Sequence, residues 1–296
     1  MGGPGGMAPN PHARPWRGIA LVLLAGLCFT IQDATAKHVV ATVPALMLLW
    51  VRYVLQAAFS AAVLLPTQPR ERLRTRRAGL QLLRGVLLLG SSVFAVFSLK
   101  HLPIAEFAAI VMVTPLLVSL LAVLFFKEQL SRAGWVLLLL SFGGTLLIVR
   151  PSGAVWGWAA IYPFVCMVLG AGYQLVTSRL GRAGEDPTTT HLLSMGCCAL
   201  LFSLSAPLSW APVTEPALWG WLALLSAAGA AGHLLVAHAY RHAPATTLAP
   251  YGYSNLAWAT LAGWWVFDQV PDGWSALGMS LIVGCGLLAT RLHARC

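Results

Sequence analysis

The chain has 296 residues, 58% of them apolar and only 9% charged, with a formal net charge of +10. A soluble domain carries about 25% charged residues, so a water-facing surface cannot be built here and an ordinary soluble enzyme is excluded. The positive charges lie between apolar blocks, which makes them reporters of membrane topology and contacts for anionic lipid rather than a nucleic-acid surface.

Residues 1–15 are rich in Gly and Pro and are expected to form a disordered tail. Ten apolar stretches follow, at 16–37, 44–66, 79–99, 103–126, 131–150, 154–178, 188–210, 216–240, 244–267 and 272–292. Each matches the roughly 20 residues that cross a bilayer core. Pro and Gly clusters such as Arg150-Pro151-Ser152-Gly153 and Pro271-Asp272-Gly273 punctuate them. The connections are short, so consecutive helices are antiparallel neighbours. The first stretch ends near Ala34-Thr35-Ala36, a signal-peptidase-like site. With so many spans behind it, it reads as an uncleaved helix.

Helix 1 carries Asp33 near its far end. Helix 2 carries Arg52, eight residues past Pro44 and so ~12 Å along a helix. That is too deep to snorkel easily, so the guanidinium should face the interior and find a partner. It would serve as a clamp for a substrate carboxylate, as an ion-coupled switch, or as half of a helix–helix ion pair, with Asp33 the natural partner. Helix 3 carries Arg84 within five residues of its start, where it is able to snorkel or meet lipid phosphate. Glu106 begins helix 4, where capping the positive helix end competes with a coupling role.

Gln174 in helix 6 occupies the position equivalent to Asp33 in the repeat described below. His233 and His238 share helix 8, but a spacing of five leaves them about 140° apart, so no two-histidine metal site is expected. His233 is the deeper and is a coupling candidate with Asp33 and Glu106. Helix 9 is polar and aromatic: Tyr253, Asn255 and Trp258 are candidates to line a pocket for an amphiphilic molecule. Pro115 and Pro250 interrupt helices 4 and 9. The six cysteines form no CxxC pair, so neither a disulfide framework, a metal nor a cofactor is expected.

Orientation follows from the 19 Lys and Arg residues. With the N-terminus inside, fourteen fall on inner segments (the run Arg70 to Arg77 among them), three on outer loops (Lys37, Lys100 and Arg150) and two within spans. Both termini are therefore placed in the cytoplasm.

The chain also repeats. Shifted by 141 positions, His101-Leu102-Pro103 meets His242-Ala243-Pro244, Lys100 meets Arg241, Gly143 meets Gly284 and Arg150 meets Arg291. Each half then holds five helices, and an odd number forces the second half upside down. Inverted repeats are a transporter architecture, with the binding site near the midplane between the halves.

Trp50-Val51-Arg52-Tyr53, Leu83-Arg84-Gly85 and the run from Leu99 to Leu130, closing with Gly143-Gly144 and Ile148-Val149-Arg150-Pro151, resemble the EamA family of the drug/metabolite transporter superfamily. The second copy departs from the pattern: Asp268-Gln269 stands opposite Lys127-Glu128, and Leu256 opposite Pro115. The resemblance implies a ten-helix fold around a central cavity, with Arg84 of the Leu-Arg-Gly motif a candidate to bind substrate there, and the movement of amino acids, S-adenosylmethionine, vitamins or metallophore-like compounds, commonly outward.

The expectation is an all-α membrane protein: a tail at 1–15, a first repeat at 16–150 and a second at 151–296. It would sit in a bacterial inner membrane as a secondary exporter of an amphiphilic, amino-acid-derived metabolite. Uptake, an intramembrane enzyme and a binding protein are the alternatives. No HExxH, GxSxG or Walker pattern occurs, so proton coupling or exchange is the default drive, and a homodimer is allowed.

Overall fold

The computed structural model describes residues 15–40, 42–67, 69, 74–101, 107, 110–149, 159, 161–204, 210–213, 215–258, 261 and 272–293. Glu106, the tail through residue 14 and the connections around Arg150 and Pro271 lie outside them. Among the described residues there is no strand. The helices are α1 (Pro15–Val39), α2 (Ala45–Leu64), α3 (Ala78–His101), α4 (Thr114–Phe126), α5 (Arg132–Val149), α6 (Ile161–Arg182), α7 (Pro187–Ser203), α8 (Pro216–His242), α9 (Ala245–Gly252) and α10 (Gly273–His293). A short 3₁₀ turn, Leu65–Thr67, follows α2.

Among the described residues five segments are long and apolar enough to cross a membrane: Pro15–Ala36, Ala45–Leu64, Ala78–Ser98, Ile161–Arg182 and Pro216–His242. Parts of α4, α5 and α10 are shorter apolar helices. The helices present apolar residues outward and bury polar ones among the apolar clusters of the interior. Leu124, Phe125, Leu200 and Leu287 are exposed, while Gln56, Arg84, His191 and Ser194 are fully buried. Water favours the reverse arrangement, and hydrocarbon imposes this one, because a polar side chain facing lipid has no partner.

The helix pairings are symmetric. α1 packs along α8 and α6 along α3; α2–α8 answers α3–α7, and α1–α9 answers α4–α6. The pairs α2–α7, α4–α9 and α5–α10 map onto themselves. Adding five to a helix number thus turns each of these contacts into another, as two equivalent five-helix units require. At the α5–α10 crossing, Gly144 and Gly278 let the backbones touch: a Cβ on either would collide with the other's carbonyl oxygen.

Two expected spans are broken rather than continuous. Helix 4 turns at Met112-Val113 and helix 9 at Tyr253, positions related by the same 141-residue shift. Pro115 lacks the N–H that would bond to residue 111, and the Thr114 hydroxyl donates to the Val111 carbonyl instead, at 2.5 Å. In the second unit Pro250 and Gly252 precede the turn, and helix resumes over 254–258. Pro115 lies against Gly252, so the two breaks face each other.

α4 ends at Lys127, in the left-handed conformation with φ 52°. That turn throws Glu128 across to the second unit. Its carboxylate accepts from the Thr246 backbone N–H (3.0 Å) and hydroxyl (2.8 Å), and pairs with Arg182 at 2.6 Å. A carboxylate there caps the start of α9 and satisfies its positive end.

Candidate functional site

Two arginines stand inside the bundle, and they differ. Arg84 does not snorkel. It is fully buried, with Nε donating to Thr177 Oγ1 (2.7 Å), Nη1 to Ser194 Oγ (2.5 Å) and the Thr190 carbonyl (3.1 Å), and Nη2 to Tyr173 Oη (2.6 Å). Every partner is neutral. The guanidinium ties α3 to α6 and α7, and its plane lies over the Tyr173 ring at 4.5 Å. Near it Gln81 donates to Thr190 Oγ1 (2.9 Å) and to Glu185 (3.4 Å), so a polar seam runs from the 74–77 segment to the centre.

Arg52 is half-buried on α2, 5.0 Å above the Tyr53 ring, and its Nε is buried with no hydrogen-bond partner. Asp33 on α1 is near enough for their charges to interact, yet the two form no ion pair. Asp33 is an exposed residue at the edge of this region. Among the described residues its only hydrogen bond is a long one, 3.5 Å, from Gln32. Gln32 also accepts from Gln56 at 3.5 Å, and both amides lie against Gly229 of α8, the space a Cβ there would fill.

One turn further along α8, His233 meets Phe29 edge-on at 5.0 Å and accepts or donates at Nδ1 to Tyr173 Oη at 3.1 Å. Its Nε2 is buried without a partner, as is Gln56 Oε1. The Arg52 charge also acts on His233. Thus Asp33, Arg52, Gln56 and His233 surround one region where α1, α2 and α8 meet, with several hydrogen-bonding atoms left unused. Unused buried polar atoms are rare in folded proteins, and a cluster of them offers hydrogen bonds that water or another molecule can take up.

The remaining sequence candidates lie elsewhere. Asn255 accepts from Thr30 Oγ1 (3.1 Å) and Trp258 Nε1 donates to the Leu23 carbonyl (3.1 Å), so both fasten the 254–258 helix to α1. Tyr253 is fully buried among Leu138, Ala249 and Ile282, its hydroxyl unpartnered. Gln174 accepts from the Tyr240 hydroxyl at 2.9 Å. It does not join Asp33. The repeat-matched pair that is buried in both halves is one residue earlier, Gln32 and Tyr173, since neighbours on a helix differ by about 100°. Glu106 lies outside the described residues, and no metal-binding cluster occurs among those described.

Sequence reasoning missed Gln32, Gln56, Tyr173, His191 and Glu128. The two glutamines were detectable as amides inside apolar spans. His191, whose Nε2 meets Ser60 Oγ at 2.7 Å, is close to the start of its span and gave no signal of burial.

Comparison with known proteins agrees with this architecture. The profile of the EamA-like transporter family matches twice, over residues 16–150 and 157–291. The chain is similar to a pseudopaline exporter of Pseudomonas aeruginosa, at 27% identity over 90% of this chain and 93% of that one. It is likewise similar to a riboflavin transporter of Vibrio cholerae (27%, 91% of each) and to an S-adenosylmethionine uptake transporter of Rickettsia bellii (25%, 90% of each). A solved crystal structure shares the fold with a TM-score of 0.77 at 21% identity, covering 93% of this chain and 98% of that one.

Proposed function

This chain belongs to the EamA-like transporter family, a family of multi-pass membrane transporters rather than enzymes, and we propose that it exports a small amphiphilic metabolite derived from an amino acid. The observation that carries this reading is the cluster of Asp33, Arg52, Gln56 and His233 with unused hydrogen-bonding atoms inside an apolar shell. An acid and a base held close but unpaired suit a molecule that brings both an amine and a carboxylate. Similarity to the pseudopaline exporter supports the outward direction. Similarity to riboflavin and S-adenosylmethionine transporters supports uptake as the second reading.

In this proposal ten spans form two inverted units, 16–150 and 151–296, with both termini in the cytoplasm of a bacterial inner membrane. The units rock about the site, and the breaks at Met112-Val113 and Tyr253 allow the outer parts of helices 4 and 9 to move relative to the rest. Asp33 is the group placed to carry a coupling proton.

The test is flux in proteoliposomes holding the full chain, using radiolabelled amino acids, opine-type amino-acid conjugates, riboflavin and S-adenosylmethionine. The expected result is saturable movement of an amino-acid-derived compound, faster from the face that carries the termini. Movement of riboflavin or S-adenosylmethionine alone favours the second reading, and chemical conversion of a compound without flux overturns both.

A further inference from the structure

The Tyr173 hydroxyl sits between two nitrogens, and their chemistry fixes where its proton goes. Arg84 has donors only, so its Nη2 donates to Tyr173 Oη at 2.6 Å. The phenol's single proton is left. The Thr177 hydroxyl beside it already accepts from Arg84 Nε and donates to the Tyr173 carbonyl, whereas His233 Nδ1, 3.1 Å away, has no other partner, and Nδ1 is the better acceptor. Nδ1 therefore accepts, and the neutral ring carries its own proton on Nε2. In the opposite arrangement Nδ1–H would donate to Tyr173 Oη, and the phenol proton would be left with only the Thr177 oxygen, which already accepts from Arg84 Nε. An unsatisfied buried donor costs about 1–3 kcal/mol.

His233 is 7% exposed, and its Nε2 has no partner. On the neighbouring α2, Arg52 Nε is another buried donor without one. We infer that Arg84 and Tyr173 lock His233 as an Nε2–H donor, and that this donor and Arg52 form a subsite for a carboxylate or carbonyl oxygen of the transported molecule. The second half of this inference rests on the transport reading above. Gln56 Oε1, also unpartnered, supplies an acceptor beside it for an N–H of the same molecule. Tyr173 is a positioning residue here: it acts through the imidazole. His233 changes role accordingly, from a proton carrier to a fixed donor, and Asp33 is left as the titrating group of the cluster.

The lock is measurable without knowing the cargo. The full chain, labelled with ¹⁵N-histidine and held in lipid nanodiscs, reports each ring's protonation by ¹⁵N NMR, and His233→Gln identifies the relevant signals by their loss. The expected result is a protonated Nε2 and a bare Nδ1 at neutral pH. Tyr173→Phe is expected to give a mixture of the two tautomers while the other seven histidines keep their signals. Acetate, the probe for a carboxylate, is expected to shift the Nε2 signal saturably, and ethylammonium is not.

A wild-type ring protonated at Nδ1, or at both nitrogens, overturns the lock. So does a tautomer that Tyr173→Phe leaves unmoved. An acetate shift that never saturates overturns the subsite. If Tyr173→Phe disturbs all histidines, the wild-type tautomer and the acetate titration decide. A correct tautomer in a protein with no flux leaves the lock standing and removes the transport reading.

Discussion

Replacing Arg52 with leucine is expected to reduce flux at least ten-fold while the protein folds and melts almost as before. Among the described residues no hydrogen bond or ion pair ties its guanidinium into the fold. Its Nε has no hydrogen-bond partner, it forms no ion pair with Asp33, and its main neighbour is the face of Tyr53. Leucine replaces the apolar stem against that ring and strands no partner. What is lost is a charged donor for the cargo. Hydrogen bonds to charged groups contribute about 1.5–3 kcal/mol, and each 1.4 kcal/mol is a factor of ten. The loss should therefore fall between about ten- and a hundred-fold. Flux in proteoliposomes, measured beside thermal unfolding of the same preparation, checks both halves. Retained flux at normal stability removes Arg52 from the site.

Arg84→Ala should do the reverse, damaging the fold first. Its side chain is fully buried and makes four hydrogen bonds that join three helices. Truncation empties that volume and leaves the Tyr173 hydroxyl without its donor. Large-to-small changes in packed interiors cost about 2–5 kcal/mol. The Thr177 and Ser194 hydroxyls soften the loss, because each also donates to a carbonyl of its own helix. The expected outcome is a lower yield of folded protein and a clearly depressed melting temperature in detergent. A variant that melts like the wild type shows that the α3–α6–α7 junction holds without Arg84.

The contrast between these arginines explains what the sequence could reveal. Both interrupt apolar spans, and pattern alone marks both as costly in lipid. Pattern does not say which finds neutral partners. For Arg84 the partners come from helices about 90 to 110 residues away, a distance no local rule spans. The repeat was legible because Pro, Gly and charged landmarks recur at one shift, and the symmetric helix pairings follow from it. The chemistry is less symmetric than the frame. Leu225 stands at the position equivalent to Arg84 and is packed against Leu222.

Face assignment failed where one residue mattered. Asp33 and Gln174 match by shift, but Gln174 bonds Tyr240 away from the cluster, and the matched pair that is buried in both halves is Gln32 and Tyr173, a single step of about 100° away. Asn255 and Trp258 looked like pocket groups because they are polar inside an apolar span. Their partners on α1 show how a bundle uses such groups as fasteners. The break in helix 4 was half legible, since Pro115 was visible and the turn it forces at Met112-Val113 was not.

The central claim is that one site between the two units opens to either side of the membrane in turn. Phe29 packs against His233 at that site and carries none of its charge, so it is the position to watch. Phe29→Cys, in a chain whose six native cysteines are replaced by alanine, is treated in oriented vesicles with a membrane-impermeant thiol reagent supplied from one face or the other. Alternating access predicts modification from both faces, at rates that a transported compound shifts in opposite directions. Modification from one face alone, unchanged by any compound that moves, would contradict it.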